Sequence, residues 1–359
     1  MKKVAVSAVL LTAAALALSG CATPPPAGST DTPGSTASTA AKFVACMISD
    51  SGGFDDRSFN QSGWEGMVKA QNELGVSVNK AESKTATDYA PNLQAMQNQN
   101  CNLTFTVGFN LAEATKAQAT ANPNTHFAII DDNSIVLPNV KPLVFKTSDA
   151  AFLGGYVAAA YSKTGTVATF GGMQFPTVSI FMDGFVDGVA QYNQDFGKSV
   201  KVLGWDKATQ NGSFTGDFED QSKGQNTTKN FIDQGADVIM PVAGPVGLGA
   251  AAAAQEAGNV AIVWVDADGY LTAPQYKSLF LTSVMKEIGA SVFDTIKTTQ
   301  AGSYSATPYI GTLANGGVGI APYHDYDSKL PKEVKDKVEQ LKADIASGKL
   351  KVTSPSDPK

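Results

Sequence analysis

The sequence predicts an α/β protein built from two Rossmann-like lobes with parallel sheets. From Phe43 onward, short apolar segments of strand type alternate with helical segments, the pattern of a parallel sheet with helices on both faces. The pattern runs to about residue 147 and is then repeated, so two consecutive units of similar size are expected. The hydrophobic fraction of 43% and mean hydropathy of -0.08 suit a globular body in water. The chain after residue 41 is long enough for two lobes of ordinary domain size.

The first unit opens on Phe43 to Ile48, a short apolar run that is β-branched in part. Ser58 to Leu74 reads as a helix, with Ser58 as N-cap, Gln61 completing a capping box and Gly75 placed to end it left-handed. The loop between holds two glycines and three aspartates. In open α/β sheets ligands lie outside the carboxyl ends of the strands, against helix N-termini. Asp50, Phe59 and Asn60 are therefore expected where a ligand would be. The plainer readings are a hydrophobic plug for Phe59, a surface position for Asn60, and turn residues favouring the helix's positive end for Asp55 and Asp56. A strand at residues 76–78, a helix at 88–99, a strand at 103–108 and an Ala-rich helix at 111–121 follow. Phe127 to Ile130 is a buried strand with Asp131 and Asp132 at its carboxyl end, and residues 143–145 form a short strand.

The second unit begins with a small-residue-rich helix at 150–161. A strand at 166–170 leads into Gly171-Gly172, a helix at 178–192 and a strand at 200–203. A helix at 224–234 precedes the strand 236–240, the loop Pro241 to Gly247 and an Ala-rich helix at 248–257. Val260 to Val265 is a strand ending at Asp266. Residues 279–283 read as a strand, 284–298 as a helix and 318–321 as a strand. The helix 331–347 carries Val334, Val338, Leu341 and Ile345 on one face, with Pro331 in its first turn and Gly348 closing it.

The N-terminus reads as an address. Met1-Lys2-Lys3 is basic, Val4 to Leu18 is apolar but short of the roughly 20 residues of a membrane span, and Leu18-Ser19-Gly20-Cys21 is a lipobox. Residues 1–20 are expected to be a lipoprotein signal peptide, with Cys21 the lipidation site and the mature protein on the extracytoplasmic face of the cell membrane. Acyl chains add about 0.8 kcal/mol of anchoring per buried methylene. Residues 21–41, rich in Thr, Pro, Ser, Ala and Gly, read as a flexible tether.

The formal net charge is -6, and -8 without Lys2 and Lys3. No basic patch stands out, which argues against nucleic acid as partner. The lysines after Lys329 alternate with acids along a helix and read as a solvated face. Cys46 and Cys101 are the only other thiols, and the compartment permits a disulfide between them, two buried free thiols being the alternative. No metal or cofactor is expected. No histidine lies near either cysteine, and His126 and His324 sit in no catalytic motif. G-x-S-x-G, Walker A and H-E-x-x-H are absent. The acids Asp50, Asp55 and Asp56 leave a calcium-dependent nucleoside hydrolase as the enzyme alternative.

The stretch D-S-G-G-F-D-D-R-S-F-N-Q-S-G-W-E-G, from Asp50 to Gly66, resembles the opening signature of the basic membrane protein family, the purine-nucleoside-receptor type of substrate-binding lipoprotein. The tail I-A-S-G-K-L-K-V resembles the family's ending, so the likeness spans Lys42 to Val352. It implies the type I periplasmic-binding-protein fold with a three-segment hinge, near Thr147, Ser283 and residues 307–313. Lobe 1 would then be 42–147 plus 284–308, and lobe 2 would be 148–283 plus 309–352. The resemblance also implies a ligand site. Phe59 and Phe218 would stack on the two faces of a base, at roughly 1–3 kcal/mol per base. Asn60 and Asp131 would bond its edge. Asp266 and Lys286 would hold the ribose, and Gly244 would bring backbone close to it. Phe214, Asp132 and Asp268 are the neighbouring alternatives to Phe218, Asp131 and Asp266. The segment Asn211 to Asp220 is longer and richer in Asp and Asn than the family signature.

The reading is a monomeric capture protein, not an enzyme, that takes nucleosides between two lobes and delivers them to an ABC permease. A sugar-binding protein or a ligand-sensing receptor of the same fold is the alternative.

Overall fold

The computed structural model describes residues 42–358. The expected signal peptide, Cys21 and the tether lie outside the described residues. The first unit comprises β1 (Val44–Ile48), α1 (Phe59–Leu74), β2 (Ser77–Ala81), α2 (Tyr89–Asn98), β3 (Leu103–Val107), α3 (Ala112–Ala121), β4 (His126–Ile130) and β5 (Val140–Phe145). The second comprises α4 (Thr147–Tyr161), β6 (Thr166–Gly171), α5 (Pro176–Phe196), β7 (Lys201–Leu203), a two-stranded ribbon of β8 (Trp205–Asp206) and β9 (Asn211–Gly212), and α6 (Gln221–Asp233). It continues through β10 (Val238–Val242), α7 (Val246–Ala257), β11 (Ala261–Asp266), the short α8 (Gly269–Thr272) and β12 (Phe280–Lys286). The chain closes with α9 (Ile288–Gln300), β13 (Tyr309–Gly311), β14 (Val318–Ile320) and α10 (Lys332–Ala346).

Two six-stranded sheets result, in the orders β2-β1-β3-β4-β5-β13 and β7-β6-β10-β11-β12-β14. Every pairing in them is parallel except β12 with β14. Parallel strands are covered on both faces, which accounts for their near-continuous apolar runs.

The chain crosses between the sheets three times: after β5, after β12 and after β13. Two of the lobe boundaries differ from the sequence reading. Residues 284–286 do not begin a helix. Val284 pairs with Val265 and Ile320, and Lys286 with Val318, so β12 runs to Lys286 and α9 starts at Ile288. The second crossing therefore follows Lys286 instead of Ser283. Residues 309–311 do not join the second lobe. As β13 they pair with β5, which moves the third crossing beyond Gly311.

The small residues of α4 have a packing reason. Residues 147–159 of this helix are all buried, and α5 lies directly against it. A Cβ on Gly155 would stand 2.1 Å from the carbonyl oxygen of Phe185, and one on Gly188 would stand 1.9 Å from that of Phe152. Only glycine permits backbones this close. After α10 the chain returns along the second lobe. Thr353 O accepts from Lys207 Nζ at 2.6 Å, Ser354 Oγ donates to Asp183 Oδ2 at 2.6 Å, and Ser148 Oγ donates to Asp357 Oδ1 at 2.5 Å. The fully buried Asp183 also accepts from Trp205 Nε1 and Gln210 Nε2, each at 2.8 Å, so its carboxylate is well satisfied.

Cys46 and Cys101 form a disulfide, with their Cα atoms 5.9 Å apart. Cys46 is in β1 and Cys101 lies just before β3, its neighbour in the sheet. The bridge sits among Ile48, Leu93, Met96 and Phe127. By chain entropy, closing a loop with a sequence separation of 55 adds about 4 kcal/mol of stability. Reduction, or Cys46→Ala with Cys101→Ala, is expected to lower the denaturant midpoint with an unfolding loss of about 2–4 kcal/mol. Urea titrations with and without reductant measure this.

Candidate functional site

The carboxyl ends of the two sheets face each other across a cleft. Asp50, Phe59, Asn60, Asp131, Phe218, Gly244, Asp266 and Lys286 all line it. The first lobe supplies Asp50 after β1, Phe59 and Asn60 from the first turn of α1, and Asp131 after β4. The second supplies Phe218, Gly244 from the loop before α7, Asp266 at the end of β11 and Lys286 at the end of β12.

Lys286 is the charged centre. Its Nζ lies 2.5 Å from Asp131 Oδ2 and 3.5 Å from Asp266 Oδ1. The same ammonium stands 4.8 Å from the ring centroid of Phe59 and 5.3 Å from that of Phe181. Burial works against its charge, but the two carboxylates outweigh burial and raise its pKa. Burial raises Asp131, with Lys286 pulling the other way. Both aspartates hold left-handed backbone, φ 65° at Asp131 and 67° at Asp266. Aspartate tolerates this conformation better than most residues.

The β1–α1 loop is organised by Asp56, read from the sequence as a turn residue that favours the helix's positive end. Its buried carboxylate accepts the N–H groups of Ser58 at 3.0 Å, Asn60 at 2.7 Å and Gln61 at 3.0 Å. Asp56 therefore does the capping expected of Ser58, whose side chain makes no cap hydrogen bond, and the Ser58–Gln61 capping box does not form. The reason is that the Ser58 hydroxyl bonds Asp266 Oδ2 at 2.7 Å instead. Burial pushes Asp56 up to about 6, with the three N–H donors opposing.

Asn60 Nδ2 donates to Asp50 Oδ1 at 2.9 Å and Asp56 Oδ2 at 3.2 Å, while its buried Oδ1 has no hydrogen-bond partner among the described residues. Burial deep in the cleft, with Asp56 and Asp131 nearby, pushes Asp50 up to about 8, against the amide of Asn60. The close approach of the β3 loop contributes. A Cβ on Gly108, at φ +104°, would stand 2.3 Å from Asp50 Oδ2.

Of the paired alternatives, Phe218 lies over Gly172, where a Cβ would reach within 2.4 Å of its ring, and lines the cleft. Phe214 packs over Gly171 and edge-on to Trp205, ring centroids 5.9 Å apart. Asp132 is bonded to Ser134, and Asp268 caps α8 and pairs with His324. Three aromatic residues of the wall were missed. Phe109 meets Phe175 edge-on with centroids 4.9 Å apart, Phe175 lies 6.0 Å from Phe218, and Phe181 flanks Lys286. Phe109 follows β3 as Asp50 follows β1, so the same strand-end rule points to it. Phe175 and Phe181 flank the start of α5 and carry no such signal. Among the described residues no cluster of three or more His, Cys, Asp or Glu could hold a metal, and no helix is long and apolar enough to cross a membrane.

Hydrogen-bonding groups, a buried cation and aromatic walls suit reversible capture of a small polar ligand with a flat face. Residues 43–354 match the Bmp family, described as ABC transporter substrate-binding protein PnrA-like. Among relatives, the chain is 32% identical to the ABC transporter nucleoside-binding protein BmpA of Lactococcus lactis subsp. cremoris, over 99% of this chain and 100% of that protein. It is 31% identical to the CD4+ T-cell-stimulating antigen of Listeria innocua, over 86% of this chain and 88% of that one. Among solved structures, an ABC transporter solute-binding protein from Aeropyrum pernix K1 superposes with a TM-score of 0.79 at 25% identity, over 88% of this chain and 94% of that one. The chain belongs to the Bmp family of PnrA-like ABC transporter substrate-binding proteins, which bind a transport substrate and are not enzymes.

Proposed function

We propose that this protein captures a nucleoside, a purine nucleoside by preference, and delivers it to an ABC permease as a monomer held at the extracytoplasmic membrane face by lipid on Cys21. The observation that carries the ligand reading is the pairing of aromatic walls with buried acceptors that the protein leaves short of donors. Phe59 and Phe218 line one cleft from opposite lobes; among the described residues the buried Asn60 Oδ1 has no hydrogen-bond partner, and Asp266 Oδ1 is met only by the Lys286 ammonium at 3.5 Å. Flat aromatic faces bind a base by stacking, and unpaired buried acceptors are matched by ligand donors. The naming of the Lactococcus relative as nucleoside-binding supports the same reading. Asn60 and Asp131 then meet the base edge, Asp266 accepts from the ribose hydroxyls, Lys286 donates to the sugar, and Gly244 lets backbone approach it. Binding energy goes into shifting the lobes from open to closed about the three crossings.

Thermal unfolding with a panel of nucleosides, free bases, nucleotides and pentoses tests this, after refolding to strip carried-through ligand. Adenosine, guanosine or inosine at a thousand times its dissociation constant is expected to add about 4 kcal/mol of stability. Ribose and adenine are expected to add nothing. Shifts with sugars alone would move the assignment to a sugar-binding protein. In Phe59→Ala the nucleoside is expected to bind about 1–3 kcal/mol more weakly.

Asp50 supplies a pH signature. Its folded pKa of about 8 lies above the ordinary aspartate value of 3.8, so the folded protein holds a proton that the unfolded chain has lost. That contribution is complete below the ordinary value and is lost as pH rises through about 8. Asp56 acts in the same direction, and its share is lost by about pH 6. Between pH 6 and 9 the melting temperature is expected to fall with a slope that Asp50→Asn flattens. A profile unchanged by that substitution would remove Asp50 as its source.

A further inference from the structure

The β1–α1 loop of the first lobe reaches across to the second. Ser58 is fully buried, and with Asp56 capping α1 its hydroxyl is free for other work. It donates to Asp266 Oδ2 at 2.7 Å and lies 3.2 Å from the carbonyl oxygen of Val265, both at the end of β11. One residue earlier, Arg57 holds left-handed backbone at φ 60°. Its carbonyl oxygen accepts from Trp264 Nε1 at 3.2 Å and from Thr272 Oγ1 at 2.9 Å, again from the second lobe. Left-handed arginine is uncommon and persists where its surroundings hold it. Trp264 is fully buried, so the Arg57 carbonyl answers an indole N–H that needs a partner.

We propose that Ser58 is a positioning residue for ligand capture and that, with the Arg57 carbonyl, it forms a latch made only when the lobes close. Opening the cleft draws the β1–α1 loop away from β11 and breaks these bonds. While they hold, Ser58 fixes one oxygen of the Asp266 carboxylate and leaves the other, 3.5 Å from the Lys286 ammonium, for the ligand. One side chain thereby joins lobe closure to ligand grip. The proposal rests on the capture reading above in that the cleft opens and closes on a small molecule.

Two substitutions test it. Ser58→Ala removes the bond to Asp266. Thr272→Val removes one grip on Arg57 from a partly exposed position outside the cleft lining, so it should fold even if Ser58→Ala does not. With inosine as probe, stopped-flow dissociation is expected to speed up about tenfold in Ser58→Ala and about fivefold in Thr272→Val, with association unchanged. A purely structural role would lower the melting temperature of the ligand-free protein and leave dissociation alone, and unchanged dissociation in both variants overturns the latch. If the wild-type protein takes up none of the nucleosides, the nucleoside reading fails separately. The latch is then read without ligand, by single-molecule energy transfer between dyes on the two lobes. A smaller closed population in both variants supports it, and equal populations overturn it.

Discussion

The site depends on one buried ammonium. Lys286 ends β12 of the second sheet, yet its nearest carboxylate, Asp131, follows β4 of the first. Its other carboxylate, Asp266, ends the neighbouring strand β11. A charge so deep is tolerable only when paired, and removing one partner of such a group costs about 3–5 kcal/mol. The pairing therefore constrains two lobes at once, because Asp131 and Lys286 meet only when the sheets face each other. It also sets the electrostatics of the cleft. The carboxylates hold the lysine charged, which leaves a cation beside aromatic rings that would otherwise form a purely apolar wall.

The rest of the fold supplies rigidity on either side of that contact. In the second lobe, glycines let α4 and α5 touch backbone to backbone. In the first, a Cβ on Gly66 would stand 2.4 Å from Gly289 O, so α9, which returns after the second crossing, lies tightly on α1. Close-packed helices of this kind transmit displacement instead of absorbing it. Motion is then left to the crossings, where few chain segments connect the sheets. The disulfide between β1 and the start of β3 adds to the stiffness of the sheet that carries Asp50 and Asn60.

Much of this was legible in the sequence because strands and helices alternate with clear turn residues. The strand-end rule placed Asp50, Asp131 and Asp266, and the family signature added Phe218 and Lys286, all of which line one cleft. The failures share a cause, which is tertiary competition for a local signal. Ser58 has the local credentials of an N-cap, but a carboxylate from another lobe takes its hydroxyl, and Asp56 serves the helix instead. Val284 to Lys286 could begin a helix by propensity, but β11 and β14 flank them and hold them extended. Tyr309 to Gly311 belong to the first sheet only because β5 has an edge to offer, which no local pattern records. Phe175 and Phe181 were out of reach because their place in the wall comes from how α5 is set against the facing lobe.

The carboxyl-terminal segment has a practical consequence. Residues 355–358 wall a cavity whose other sides include Phe109, Asp131 and Lys286, so this segment lies at the flank of the ligand cleft. A bulky side chain at Ser356 would crowd the gap between the lobes and distort measured affinities. For the same reason a small environment-sensitive dye on residue 356 would brighten or dim as the gap narrows, turning the protein into an optical sensor for whatever it captures.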